Sequence, residues 1–156
     1  MAEQKSPEEN LAALGISLPA APTPAGNYVA AKQIGNLLYL SGAISADADG
    51  VITGTAGAGR TAVDGYAAAR ACALTQLAVI KRELGSLDRV AEIVSLTGYV
   101  SAAPGFADSS SAINGASDLL AHVFGEAGRH VRVAVGVSAL PRNALAEVQL
   151  IVRVHD

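Results

Sequence analysis

Residues 131–154 carry the pattern that most constrains the fold. Val131, Val133, Val135 and Val137 alternate with Arg132, Ala134, Gly136 and Ser138. Further on, Val148, Leu150, Val152 and Val154 alternate with Glu147, Gln149, Ile151 and Arg153. Apolar residues at every second position suit a strand, whose side chains point alternately to two faces, and cannot form a helical stripe. The linking loop, residues 139–144, is short, so the sequence predicts an antiparallel hairpin of two half-buried strands. Its valine faces are expected to meet the core. Arg132, Ala134, Gly136, Glu147 and Gln149 are expected to share the opposite face.

The preceding segments supply the partners such a hairpin needs. Val29 to Ile34 and Leu37 to Gly42 read as a first hairpin turning at Gly35-Asn36. Its second arm is apolar on both faces and belongs inside the sheet. Residues 46–59 form a glycine-rich loop with a short strand at Val51-Ile52. Thr61 to Leu84 is a helix: Thr61 and Asp64 make a capping box, Gly85 closes it, and Tyr66, Ala69, Ala73, Leu77, Ile80 and Leu84 form a buried stripe. Val90 to Val100 is a strand with Ser95, Thr97 and Tyr99 on one face and Val94, Leu96 and Val100 on the other. Ser111 to Phe124 is a second helix, with Ile113, Ala116, Leu120 and Phe124 inward. The order is β-β-α-β-α-β-β, and two helices on one face of a single mixed sheet is the economical α+β solution.

Ahead of this domain (residues 27–156), residues 1–26 form a short helix and an arm. Ser6 caps, Pro7 starts and Glu9 completes the helix box, Leu11 and Leu14 share a face, and Gly15 stops it. Pro19, Pro22 and Pro24 keep the next stretch extended, so the arm is expected to dock on the surface.

Composition narrows the function classes. The chain has 156 residues, 51% hydrophobic and 16% charged, which suits one domain with a real core. Aromatics are 4% and Trp is absent, so Ala, Val, Leu and Ile must build that core. The net charge of −3 and the absence of a basic run argue against a nucleic-acid surface. The lone Cys72 allows no intrachain disulfide and reads as a packing residue. No apolar run spans a bilayer and no signal peptide is visible, so a cytoplasmic home is expected. His122, His130 and His155 lack metal spacing and read as structural. Gly54, Gly57 and Gly59 do not sit between a strand and a helix as a phosphate loop must. They are expected in a flexible loop near a cleft mouth. The serines, including Ser109, Ser110 and Ser111, lack the Gly-x-Ser-x-Gly context of a nucleophile. Arg129 and Arg142 could rim a cleft or be ordinary solvated charge.

The mixed face of the C-terminal strands suits burial against copies of the chain better than bulk water. Arg132 and Glu147, expected as cross-strand or diagonal neighbours, have two readings. One is an ion pair inside an interface. The other is a carboxylate-binding Arg beside a carboxylate that orders a water.

Four blocks of sequence add to these patterns. They are Gly26-Asn27-Tyr28, the run Gly35-Asn36-Leu37-Leu38-Tyr39-Leu40-Ser41-Gly42, Asn114 followed by Phe124-Gly125, and Arg132 to Pro141 followed by Ala146-Glu147-Val148. Together they resemble the Rid/YjgF-like family, formerly grouped as L-PSP endoribonucleases, and the arm resembles that of a longer subgroup. The resemblance implies a chorismate-mutase-like trimer with sheets facing the centre and three clefts between subunits. It implies cofactor-free hydrolysis of 2-aminoacrylate-like enamines or imines to 2-oxo acids and ammonia. By the same resemblance, Arg132 binds the substrate carboxylate, Glu147 stands near the attacking water, and Tyr28, Ser41 and Asn114 support the pocket. Ala43, Ala134 and Gly136 depart from the family's usual Gln, Cys and Glu, and the last two are expected to make room for a larger substrate. The alternatives are a trimer that binds 2-oxo acids without turnover, and a ribonuclease or translation inhibitor. The charge balance and the few aromatics disfavour the last.

Overall fold

The computed structural model describes residues 3–156. Met1 and Ala2, the first residues of the expected arm, lie outside them. Helix α1 (Pro7–Ala13) has the expected capping box between Ser6 and Glu9. Strands β1 (Ala31–Ile34) and β2 (Leu37–Leu40) pair antiparallel, with Ile34 opposite Leu37. Gly35 in the turn has φ 60°, a conformation glycine adopts at little cost. After β3 (Ala43–Ile44), the expected loop is laced by two-residue strands: β4 (Ala46–Asp47) with β5 (Gly50–Val51), and β6 (Thr55–Ala56) with β7 (Gly59–Arg60). Then come α2 (Ala62–Leu84), β8 (Val90–Ser101), α3 (Ser109–Phe124), β9 (Val131–Val137) and β10 (Ala146–Val154).

The sheet runs β1-β2-β10-β8-β9, with β3 beside β10 as the continuation of β2. It is mixed: β8 and β9 are parallel, joined by a crossover through α3, and the other pairs are antiparallel. The expected C-terminal hairpin does not form, because β8 lies between β9 and β10. The alternation had shown two strands but not what stands between them. The link of residues 138–145 is long enough to step over one strand.

The faces divide differently from expectation too. Val148, Leu150, Val152 and Val154 are buried under the helices as expected. On β9 the valines face outward: Val131, Val133 and Val135 are 71%, 54% and 40% exposed. Arg132 aligns with buried Leu96 and so lies on the helix face, whereas Glu147 aligns with Tyr99 on the open face. In β8 the expected face of Val94 is taken by Ile93. Ile151 pairs with Ser95 and Val152 with Ile93, so Val94 is an extra residue that resets the alternation.

The two long helices sit close to each other and to the sheet because glycines admit them. A Cβ at Gly115 would collide with the Tyr66 carbonyl oxygen, and one at Gly98 would lie 2.6 Å from Ile113 Cγ2. Ala69, Ala73, Leu77 and Ile80 are buried as expected and Leu84 partly so, but Tyr66, also expected inward, is 36% exposed and donates its hydroxyl to Asp118 Oδ2 at 2.7 Å. Ala68, Cys72, Gln76 and Val79, on an adjoining face of α2, are buried too. From the arm, Leu11 joins the core and Ile16, Leu18 and Ala21 pack against it. Leu14 does not share Leu11's face; it caps α1 and is 47% exposed.

Candidate functional site

The expected site residues fall into two groups. The first is built on α3 and the edge strand. Ser110, Asn114 and Ser117 recur at helical spacing and form a polar stripe beside the buried Ile113, Ala116 and Leu120. Arg132 reaches this stripe from β9. Its Nη1 donates to Asn114 Oδ1 at 2.7 Å and Ser117 Oγ at 3.2 Å. Its Nη2 donates to Ser110 Oγ at 2.9 Å and to the Ser110 carbonyl at 3.4 Å. All four partners are neutral. Among the described residues no carboxylate lies within ion-pair distance, so the guanidinium is oriented but its charge is not neutralised.

Behind it, Ser117 Oγ is 2.9 Å from His130 Nε2, and His130 Nδ1 is 2.7 Å from the Gly128 carbonyl. Burial and the Arg132 charge lower the His130 pKa against the pull of that carbonyl, leaving a neutral ring. Sequence reasoning placed Asn114 here but missed Ser110 and Ser117. The spacing of 110, 114 and 117 was the available signal.

The second group lines a cleft of about 620 Å³ between the arm, α2 and the start of β10. Tyr28, Ser41 and Glu147 all border it, with Thr75 and Gln76 of α2. The step from Tyr39 to Ala43 spans four residues, whereas the facing step from Ile151 to Val148 spans three. The strand therefore bulges at Ser41-Gly42. Ser41 Oγ donates to the Val29 carbonyl at 2.6 Å, and Gln76 Nε2 donates to the carbonyls of Ser41 and Val148, both at 2.8 Å. Gln76, unnoticed in the sequence, thus pins the bulge from beneath.

Glu147 lies against the bulge. A Cβ on Gly42 would come within 3.1 Å of the carboxylate, which is why glycine fits there. Among the described residues nothing donates to this carboxylate, and burial alone pushes its pKa upward. Tyr28 is 53% exposed, its ring folded over Gly26.

Arg132 and Asn114 are brought together, and so are Tyr28, Ser41 and Glu147, but the two groups are not joined within one chain. Arg132 and Glu147 are not cross-strand neighbours. By strand spacing their Cα atoms are about 14 Å apart, on opposite faces. Ala43 lines the cleft, but Ala134 packs on the core and Gly136 lies by Ala102 and Ser109, so neither departure enlarges it. Arg142 borders the cleft, whereas Arg129 pairs with Glu126 at 3.6 Å. Of the glycine loop, Ala46, Asp47 and Ala48 reach the cleft; Gly57 sits against Phe106 instead.

Cys72 is fully buried and its thiol is pushed well up by burial, then by Glu147, in keeping with a packing role. Among the described residues no His, Cys, Asp and Glu cluster could hold a metal, and no helix is long and apolar enough to cross a membrane.

Similar proteins fix the lineage. The family described as "YjgF/chorismate_mutase-like, putative endoribonuclease" matches residues 8–154. Protein TCP17 of Trypanosoma cruzi is 47% identical, over 94% of this chain and 93% of its own length. The crystal structure of a "putative endoribonuclease" from Shewanella oneidensis superposes with TM-score 0.92 at 34% identity, covering 96% of this chain and 100% of that one. Protein Atu1372 of Agrobacterium tumefaciens, of unknown function, gives TM-score 0.86 at 39% identity, covering 95% and 91%. These matches run through the arm as well as the sheet, and with the motifs and topology they agree that the chain belongs to the YjgF/chorismate mutase-like family, the Rid/YjgF-like proteins.

Proposed function

We propose that the protein hydrolyses small reactive 2-imino acids and their enamine tautomers, of the 2-aminoacrylate type, to 2-oxo acids and ammonia. One observation carries this reading. Arg132 holds a guanidinium in place with neutral oxygens alone, which leaves its charge for a substrate carboxylate. An imine carbon is already electrophilic, so the protein needs only to hold the acid, place a water and move a proton. Water adds to that carbon, the C–N bond breaks and the nitrogen leaves as ammonia. Glu147, its pKa raised by burial, is suited to take the proton from water and return it to the departing nitrogen. Binding of a 2-oxo acid without turnover would use the same Arg132, and only a turnover measurement separates the two.

The chemistry needs Arg132 and Glu147 in one cleft, and a single chain keeps them apart. A homotrimer, as the family resemblance implies, would unite Arg132 of one copy with Glu147, Tyr28 and Ser41 of the next. The outward valines of β9 supply an apolar surface for that contact.

The test is 2-oxo acid release from 2-aminoacrylate generated in situ. Wild type should accelerate it, and Arg132→Ala should lose on the order of 2–5 kcal/mol of transition-state binding. A wild type no faster than water would sink the hydrolase reading. Co-expressing Arg132→Ala with Glu147→Gln should restore roughly one quarter of the clefts if each is shared by two copies of a cyclic trimer. No recovery would rule out the shared cleft.

A further inference from the structure

We propose that the cleft beside Glu147 is built for a substrate with an apolar side chain, and that residues 19–25 of the N-terminal arm form the wall that selects it. This rests on the hydrolase reading above and names its substrate class.

Size is the first argument. In the single chain the cleft measures about 620 Å³, far more than a three-carbon acid fills and within the roughly 300–1,000 Å³ of ligand pockets, so it keeps room for a longer substrate beside a neighbouring copy's Arg132. Lining is the second. One wall is Pro19, Ala20, Pro22, Thr23, Pro24 and Ala25, with Thr23 its one polar side chain, and Val79 of α2 borders the same space. Proline has no N–H, so this wall offers few donors. Residues 19–25 carry no charge. Besides Glu147, the charged lining groups are Asp47, at the end of the two-residue strand β4, and Arg142, in the link before β10; both are exposed, and Asp47 Oδ1 already accepts from the Asp49 amide. With the reacting carbon beside Glu147 and Gly42, the remaining space along the arm suits hydrocarbon.

Order is the third argument, because a wall selects only if it holds still. Arg82 Nη1 donates to the Pro22 carbonyl at 3.1 Å. Asn10 Nδ2 donates to the Val123 carbonyl at 2.9 Å, and Lys81 pairs with Glu8 at 3.0 Å. Ile16, Leu18 and Ala21 pack against the core on either side of Pro19. The arm is thereby a fixed part of the cleft.

The experiment compares kcat/KM for imines generated in situ by an amino-acid oxidase from alanine, 2-aminobutyrate, norvaline, leucine and glutamate. Wild type should gain about fourfold per added methylene, with the glutamate imine far below that line. Ala20→Trp, a change at an exposed arm position that fills the space, should flatten the series. A series that is flat or falls with length in wild type overturns the proposal while leaving the hydrolase reading in place. If no imine is hydrolysed faster than in water, the hydrolase reading fails, and calorimetry with pyruvate, 2-oxobutyrate and 2-oxopentanoate decides the wall. Affinity rising about fourfold per methylene supports it, and equal or absent affinities overturn it.

Discussion

Arg132 and Glu147 point to opposite faces of one sheet, with strand β8 between their strands. Arg132 is in register with Leu96 of β8, and Glu147 with Tyr99. The cation is oriented by a helix stripe, and the carboxylate lies free against a strand bulge. Within one chain the two halves do not meet. That separation makes subunit mixing a more informative test than any single substitution.

Gln76 is the side chain that holds the bulge. It is 1% exposed and gives both bonds of its Nε2 to the carbonyls of Ser41 and Val148. Gln76→Leu should destabilise the fold by on the order of 2–4 kcal/mol, since both acceptors lose a buried partner. Urea unfolding measures this, and an unchanged midpoint would show that the bulge stands without it.

Gly115 sets the distance between α2 and α3. Its would-be Cβ meets the backbone of Tyr66, which cannot swing aside as a side chain can. Gly115→Ala should cost about 3 kcal/mol or more, against the usual gain from replacing an interior helical glycine. Thermal unfolding by circular dichroism reads the sign directly.

The Glu147 carboxyl has its pKa raised in the folded protein, because burial disfavours the ionised form. Its contribution to stability is therefore fully present below the unfolded value near 4.5 and is lost as pH rises through the raised folded value. Glu147→Gln should gain in Tm over wild type at pH 8, and the gain should close as pH falls towards 4. A difference that is constant across pH would rule out this titration.

Glu8 behaves in the opposite sense. Burial works upward on its carboxyl, but the Leu87 amide, Lys81 and Ser86 outweigh it and hold the pKa below its ordinary value. Its stabilising contribution is present above the unfolded value near 4.5 and is lost as pH falls through the depressed one. Glu8→Gln should make the arm cleave faster in limited proteolysis at pH 7. Wild type should approach that rate only in acid, read with an acid-active protease.

What the sequence determined by itself is local. The capping boxes at Ser6 and Thr61, the turn at Gly35-Asn36 and the period-two run of valines each rest on neighbours a few residues apart, where backbone geometry leaves few choices. The stripe of Ala69, Ala73, Leu77 and Ile80 was legible for the same reason. Tertiary structure decided which strand stands beside which, and which side of each faces the core. Alternation fixes that Val133 and Arg132 point apart, but either side satisfies the pattern. On the edge strand β9, the polar stripe of α3 drew Arg132 to the helix face and turned the valines outward. The bulge at Val94 and the break at Ser41-Gly42 likewise answer to partners far along the chain, Val152 and Gln76, which no local window contains.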